Sequence, residues 1–400
     1  FLYDYVYFCF MKRVVVGLSG GVDSAVTAAL LVQQGYEVIG VFMRNWHDES
    51  VVINNECPWI TDSNDALAAA EHLGIPFHVL DLSEAYRERI VEYMFNEYEN
   101  GRTPNPDVLC NREIKFDVFL KAAMQLKADF VATGHYCQKQ EIVMNSQVEY
   151  QLLMGEDSNK DQSYFLCQLN QSQLEKALFP IGHLTKPQVR ALAEQFQLPN
   201  AEKKDSQGLC FIGKVKLPTF LQQQLQPKKG KVIKLSNSGS WSEIKVEGDD
   251  RLQLCQGKIF VESDGVCIGE HSGAHFFTVG QRKGLGIGGQ NIPLFVVGTD
   301  TKDNVVYVAA GEHHLALARE GLLIKRNDLH WIRPRLFEGK TELKVSCRIR
   351  YRQPLFQATI TCDEQYAYVI FDNTQFGVAK GQFAAFYLQN ELIGSGVIYE

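Results

Sequence analysis

Val14-Val15-Val16-Gly17-Leu18-Ser19-Gly20-Gly21-Val22-Asp23-Ser24-Ala25-Val26-Thr27-Ala28-Ala29-Leu30-Leu31 is the stretch that decides the fold. A short β-branched run, a glycine pair and an alanine- and leucine-rich segment predict strand, tight turn and helix in succession. The turn falls at the helix N-terminus, where backbone N–H groups without intrahelical partners and the helix dipole favour a phosphate. Gly20 and Gly21 let the backbone come close to an anion, and the hydroxyls of Ser19 and Ser24 add donors. No lysine follows the glycines, which separates this turn from the GxxxxGK[ST] loop, whose lysine reaches the β- and γ-phosphates. A glycine turn that merely let the helix pack would not require two serines and an aspartate, so phosphate binding is the better reading.

Outward from the turn, strand and helix signals alternate. Glu37–Met43 reads as a strand, 62–73 as a helix ending at Gly74, and Phe77–Asp81 as a strand. Helices follow near 83–99 and 112–126, then the strand-like Asp129–His135. Apolar strands separated by helices imply a parallel sheet covered on both faces, with ligands beyond the strand C-termini. The phosphate turn, Met43 and Gly134-His135 all fall at such ends and are expected to frame one nucleotide site. Helical patterns resume at 171–178 and 186–196, the latter opened by Pro187. From about residue 228 the texture changes to glycine, turn residues and short β-branched runs. Leu343–Tyr351 and Ala367–Phe371 alternate or run apolar as strands do, which predicts a C-terminal all-β barrel or sandwich. The expected fold class is therefore α/β: an N-terminal Rossmann-like parallel-sheet domain (11–216), a small central module (217–308) and a C-terminal antiparallel β-barrel-like domain (309–400).

The 400 residues suffice for two or three domains, each with a core of its own. A hydrophobic share of 45% and a charged share of 22% are ordinary for a globular protein. With a net charge of −7, a nucleic-acid partner has to be held by a local basic surface rather than by overall charge. No apolar stretch is long enough to span a bilayer, so no membrane association is expected and the cytoplasm is the default compartment. Phe1–Phe10 lacks a basic n-region, contains Asp4 and precedes Met11-Lys12-Arg13, so residues 1–10 read as a dispensable upstream extension. The ten cysteines form no CxxC pair and no zinc-like cluster, and no metal site is expected of them. Cys137 and Cys167, in apolar settings, read as buried small hydrophobes.

Two cysteines keep more unusual company. In Arg102-Thr103-Pro104-Asn105-Pro106-Asp107-Val108-Leu109-Cys110-Asn111-Arg112, Asn105 is placed to cap a helix whose first residue is Pro106. Asp107 and Cys110 then share one face of its first turns. Arg112, Lys115 and the helix N-terminus favour the Cys110 thiolate, whereas Asp107 opposes it but is itself a candidate proton acceptor. A buried cysteine in a well-capped helix explains the same residues, and the two readings stand side by side. In Asp205-Ser206-Gln207-Gly208-Leu209-Cys210-Phe211-Ile212-Gly213, Gly208 allows close backbone approach and Lys203 and Lys204 supply positive charge. A core strand containing a cysteine is the plainer alternative there, and spacing alone does not pair Cys110 with Cys210.

Five motifs in order carry a resemblance: Ser19–Ser24, Asn105-Pro106-Asp107 with Cys110, Lys160-Asp161-Gln162-Ser163-Tyr164-Phe165, Gly208–Gly213, and Gly280-Gln281-Arg282-Lys283-Gly284-Leu285-Gly286. Together, from about Met11 to the C-terminus, the chain resembles the bacterial tRNA-specific 2-thiouridylase family of the PP-loop ATP pyrophosphatase superfamily. The first motif alone is shared by many AMP-forming enzymes; the two cysteine motifs combined with GQRKGLG are far more specific.

The resemblance implies that ATP, with Mg2+, binds Gly17, Leu18, Ser19, Gly20, Gly21, Val22, Asp23 and Ser24, with Met43 and Gly134 at the adenosine. The C2 oxygen of the wobble uridine (position 34) of tRNA would be adenylated and pyrophosphate released. Cys210 would carry a persulfide, supplied by a sulfur-relay protein or cysteine desulfurase, and Cys110 would resolve it, leaving a Cys110–Cys210 disulfide for a reductant to open. Asp107 would act as acid/base. Contacts to tRNA are implied for Asn105, Pro106, Asp107, His135, Lys160, Asp161, Gln162, Arg350, Tyr351 and Gln382, and a monomer is the simplest assembly.

Independently of the resemblance, positions 326, 333, 335, 340, 344, 348 and 350 make 325–352 locally basic, which suits phosphate contacts as well as a solvated strand face. Tyr351 is suited to stacking on a base or to packing. Gly280–Gly289 reads as an RNA- or partner-facing loop rather than a second phosphate loop, because no helix pattern follows it. Lys229–Ile233 and Gln256–Phe260 each look like the one GK-hydrophobic strand the family pattern has, which suggests a small duplication or an inserted hairpin. The rival functions are another AMP-forming PP-loop ligase or thiolase acting on a different base or small substrate, and a tRNA-binding protein without catalysis. The first has no need of both cysteines, and the second has no chemical use for Ser19–Ser24.

Overall fold

The computed structural model describes residues 11–46, 58–144, 146–204, 220–222, 224–236, 241–243 and 250–400. Cys210, with the whole Asp205–Gly213 motif, and the extension 1–10 lie outside the described residues. The chain divides into two compact units, the first within 1–86, 111–163 and 171–214, the second within 87–110, 164–170 and 215–400.

The first unit is built on a five-stranded sheet in the order β3-β2-β1-β4-β7, formed by β1 (Arg13–Gly17), β2 (Glu37–Arg44), β3 (Phe77–Asp81), β4 (Phe130–Ala132) and β7 (Ala177–Leu178). All four pairings are parallel. Val14, Val16 and Leu18 point to one face, where they meet Ala28 and Leu31 of the helix Val22–Gln33 and Ala66 and Ala70 of the helix Pro58–His72. The opposite face carries Gly17 and Met43 beside Phe119. That division follows from the two-residue period of strands and the 3.6-residue period of helices.

Three local differences from the sequence reading have physical reasons. The second helix starts at Pro58 rather than 62, with proline at the position whose N–H needs no partner. Ala177–Leu178, read as the end of a helix, is the fifth strand, and two residues are too few to show any periodicity. A hairpin of β5 (Cys137–Met144) and β6 (Gln147–Met154), antiparallel throughout, occupies a stretch for which the sequence suggested no element.

The second unit holds two sheets. One has the order β11-β8-β13-β12, from β8 (Gly230–Leu235), β11 (Gly265–His271), β12 (Leu294–Asp300) and β13 (Val305–Ala310). β13 is buried on both faces: Val306 and Val308 enter one apolar cluster, Val305, Tyr307 and Ala309 the other. The second copy of the GK-hydrophobic pattern does not join it: β10 (Lys258–Ile259) pairs with β9 (Ser242–Glu243) instead. The other sheet is an antiparallel barrel of six strands, β14 (Ala318–Trp331), β15 (Glu342–Arg348), β16 (Phe356–Cys362), β17 (Tyr366–Phe376), β18 (Phe383–Leu388) and β19 (Glu391–Ile398). They join as β14-β17-β16-β15-β18-β19, and β14 also pairs with β19 to close the ring. Leu343, Val345 and Cys347 alternate inward onto Ile360, Val369, Phe386 and Ile393. Among the described residues, no helix is long and apolar enough to cross a membrane.

Candidate active site

In the first unit the anion turn has the shape that its residues dictate. Gly20 adopts φ +75, and a Cβ there would lie 2.2 Å from the Asp62 carbonyl oxygen, so both backbone conformation and space demand glycine. The Ser19 amide donates to Ser24 Oγ at 3.1 Å, and Ser24 Oγ donates to the Gly21 carbonyl at 3.0 Å. Gly21 is the N-cap of the helix Val22–Gln33 and offers no side chain to its first-turn amides. Those amides face the position that an anion takes at a helix start.

The strand ends frame this turn as the alternation implied. A Cβ on Gly17 would approach Met43 Cε to 3.0 Å, and one on Gly134 would come within 2.8 Å of the Asp23 carbonyl carbon. Gly134 is thus the residue that lets the end of β4 lie against the first turn of the helix. Asp23 Oδ1 accepts hydrogen bonds from Tyr136 Oη at 2.8 Å and from Lys186 Nζ at 2.7 Å. Asn200 Nδ2 donates to the Gly20 carbonyl at 3.0 Å, and Lys203 Nζ binds Asp62 at 2.6 Å and also Asp65. Tyr136, Lys186 and Asn200 escaped the sequence reading because more than a hundred residues separate each from its partner, and Lys203, read there as charge beside Cys210, pairs with Asp62 and Asp65. Asn45, immediately after β2, is 1% exposed, and neither its Oδ1 nor its Nδ2 has a hydrogen-bond partner among the described residues.

Of the four residues implicated in tRNA contact in this unit, His135 and Asp161 are buried and Lys160 and Gln162 half-buried. His135 is buried between Phe116 and Phe179, with Nδ1 2.7 Å from Thr133 Oγ1. Burial, aided by the charge on Lys115, holds its pKa well below the ordinary histidine range, so the ring is neutral. Asp161 accepts from the amides of Gly155 and Ser163, both at 3.1 Å, and Gln162 Oε1 accepts from the Tyr136 amide at 3.0 Å. These two side chains shape the turn after the hairpin. Lys160, half-buried, lines an open depression of about 590 Å³ together with Lys186 and Arg190.

In the second unit Asn105 caps Pro106–Leu109 as its sequence position suggested: Oδ1 accepts from the Val108 amide at 3.3 Å. Its Nδ2 lies 3.3 Å from Gln382 Oε1, while Gln382 Nε2 donates to the carbonyls of Thr103 at 2.9 Å and Pro104 at 3.2 Å. Asp107 is half-buried and Cys110 fully buried; Cys110 opens a π-helical stretch, Cys110–Val118. Such widened turns often occur at functional sites. The burial that the plainer reading gives Cys110 is present.

Several basic residues of 325–352 turn inward. Arg333 forms a buried ion pair with Glu391 at 2.8 Å, and Arg348 is buried 5.5 Å from the Tyr387 ring. Arg350 donates to the Val279 carbonyl at 2.8 Å and to the Gly377 carbonyl, so its guanidinium pins two turns. Arg326, Arg335, Lys340 and Lys344 remain exposed. The Tyr351 ring is half-buried, 4.4 Å from Phe165 and under the Arg352 guanidinium at 5.1 Å. Gln281 ties its own loop through the Thr278 amide and the Lys283 carbonyl, leaving Arg282 and Lys283 exposed at the tip.

Among known proteins, residues 12–214 match the family model described as "tRNA methyl transferase HUP domain". Residues 249–310 match "tRNA methyl transferase PRC-barrel domain" and 321–398 "Aminomethyltransferase beta-barrel domain". The chain is 58% identical over 395 residues to a protein of Flavobacterium johnsoniae named tRNA-specific 2-thiouridylase MnmA, covering 97% of this chain and 100% of that one. A protein of the same name from Christiangramia forsetii is 58% identical, with 97% and 100% covered. A third, from Karelsulcia muelleri, is 47% identical, with 97% and 98% covered.

Proposed function

Since the chain belongs to the tRNA-specific 2-thiouridylase family and is an ATP-dependent tRNA-uridine 2-sulfurtransferase, we propose how its residues divide that reaction. The observation that carries the reading is the uncapped glycine turn at the start of Val22–Gln33, with Gly17, Met43 and Gly134 around it. An amide-like C2 carbonyl has a poor oxygen leaving group, and adenylation corrects that. Gly17–Ser24 bind the phosphates of ATP, with Met43 and Gly134 at the adenosine. The C2 oxygen of the wobble uridine attacks the α-phosphorus, and pyrophosphate departs.

Mg2+ fits here as a companion of the triphosphate. Asp23, in the first turn of the helix Val22–Gln33, is the carboxylate that would help hold the ion, which would neutralise charge on the phosphates.

Cys210 receives sulfur as a persulfide from a sulfur-relay protein or cysteine desulfurase. Its terminal sulfur attacks C2, the C2–O bond breaks and AMP leaves. Asp107 takes the proton of Cys110, whose thiolate attacks Cys210 Sγ. The new Cys110–Cys210 bond forms as the old S–S bond breaks, and its electrons complete the C2 thiocarbonyl. A two-electron thiol reductant then resets the pair, which suits the reducing cytoplasm.

Asn105, Pro106, Asp107 and Gln382 form a polar cluster suited to the flipped-out uracil. Tyr351 on Phe165 offers a stacking platform for a base, and the exposed Arg326, Arg335, Lys340 and Lys344 offer a surface for phosphates. Cys210→Ser tests the scheme: with tRNA and ATP it should release pyrophosphate yet form no thionucleoside. Thiolation by that variant would overturn the role of Cys210.

A further inference from the structure

We infer that Thr278 is a positioning residue for the reaction, holding the catalytic segment in place through a hydroxyl pair with Thr103. The inference rests on the reading of Asn105, Pro106 and Asp107 as the uracil cluster and of Cys110 as the resolving thiol. Between the helix Glu92–Glu99 and the short helix Pro106–Leu109 the chain has no regular structure. Pro104 and Pro106 carry no N–H, so no backbone ladder can run through this stretch. Its place in the fold has to come from the polar groups that remain.

The barrel holds the main chain. The Thr103 amide donates to the Lys380 carbonyl at 2.8 Å, and Gln382 Nε2 donates to the Thr103 and Pro104 carbonyls. A Cβ on Gly381 would lie 2.9 Å from both the nitrogen and the oxygen of Thr103, so the barrel turn is pressed directly onto this residue. The side chain goes elsewhere: Thr103 Oγ1 is hydrogen-bonded to Thr278 Oγ1 at 3.0 Å.

Thr278 is itself firmly held. Its amide donates to Gln281 Oε1 at 3.0 Å, and its carbonyl accepts from the Gln281 amide at 2.9 Å. The same turn is bonded to Val296 of β12, through the Gly280 amide at 2.7 Å and the Gln281 carbonyl at 2.9 Å. The turn that exposes Arg282 and Lys283 at its tip therefore has a fixed base, and that base grips the residue preceding Pro104-Asn105. A shift at Thr103 passes on to Asp107 and Cys110 because the two prolines stiffen the link. Thr278 takes no part in bond making, so its loss should appear in turnover rather than in affinity.

Steady-state formation of 2-thiouridine by the full chain, with unmodified tRNA, ATP and inorganic sulfide, tests this well below the melting temperature. Thr278→Val should lower kcat about 5- to 30-fold, the effect of one lost hydrogen bond with its partner left behind, while KM and the Kd for tRNA stay within about twofold. Thr278→Ser keeps the hydroxyl and should recover most of the rate. Thr103→Val should lose as much as Thr278→Val, and the double variant no more than either, since both remove the same bond. Additive losses, no rescue by serine, or a loss confined to tRNA affinity would overturn the assignment. A Thr278→Val chain that melts earlier at unchanged kcat would do the same, because a merely structural bond behaves that way. Failure of the functional reading shows separately, as a parent chain that forms no 2-thiouridine, and the inference would fall with it.

Discussion

Gly20→Ala and Gly21→Ala change adjacent residues of one turn by the same methyl group, and the structure assigns them very different outcomes. At Gly20 the added Cβ would stand 2.2 Å from the Asp62 carbonyl oxygen, where ordinary contact begins at 3.4 Å, so the turn and the helix Pro58–His72 must part by more than an ångström. The residue also sits at φ +75, a region that costs an L-residue about 1–2 kcal/mol. Overpacking against backbone adds about 1–3 kcal/mol. Asp62 is moreover the partner of Lys203 at 2.6 Å, so the displacement spreads to the segment that also holds the Gly20 carbonyl through Asn200. At Gly21 φ is ordinary and the nearest atom is Ser19 Oγ at 3.3 Å, the end of a side chain that can turn away. Misplacing a phosphate-binding turn by about 1 Å costs on the order of 100-fold in rate. Steady-state pyrophosphate release with saturating tRNA should therefore fall about 100-fold or more in Gly20→Ala, with a lower melting temperature, and less than about fivefold in Gly21→Ala. Equal activity in the two variants would refute the claim that the backbone path at Gly20 sets the site.

His135 has a folded-state pKa well below that of the unfolded chain, so its contribution to stability is present above about pH 6.5 and is lost as the pH falls below that value. Between pH 6.5 and 5, denaturation of His135→Asn should show a pH slope shallower by up to one proton, about 1.4 kcal/mol per pH unit; an unchanged slope would mean that the ring protonates in place. Tyr351→Ala should weaken tRNA binding at fixed salt by about 1–3 kcal/mol in an anisotropy titration while Tyr351→Phe does not, whereas a ring that only packs on Phe165 would leave both unchanged. Asn45→Leu removes a buried amide that makes no hydrogen bond among the described residues, and should stabilise the ligand-free chain by about 1–3 kcal/mol in denaturant melts; a loss of stability would count against that.

The parts legible in the sequence were those whose meaning is local. Val14–Val16, the glycine pair and the following alanines specify strand, turn and helix within one window, and Asn105-Pro106 announces its cap in two residues. The barrel strand around Val345 was legible for the same reason, since alternation is a property of neighbours. What stayed hidden depends on distant partners. That Arg350 donates to the carbonyls of Val279 and Gly377 is invisible in its own segment, because both lie some 27 to 71 residues away. Asp161 and Gln162 read as contact residues; that they hold the turn together through Gly155, Ser163 and Tyr136 depends on partners the local sequence does not show. Ala177–Leu178 became a strand because the edge of β4 was free to pair, which two residues cannot signal. Lys186 had no signal whatever, because its partner Asp23 lies far away along the chain.

The central claim is that one chain uses ATP and two cysteines to put sulfur on a tRNA wobble uridine. Nucleoside mass spectrometry of tRNA tests it most directly, in a strain lacking this gene and in the same strain carrying the parent chain, Cys110→Ser or Cys210→Ser. The account requires 2-thiouridine derivatives at the wobble position to vanish in the deletion, return with the parent chain and stay absent with either cysteine variant. An unchanged thionucleoside profile in the deletion strain, or full restoration by Cys210→Ser, would contradict it.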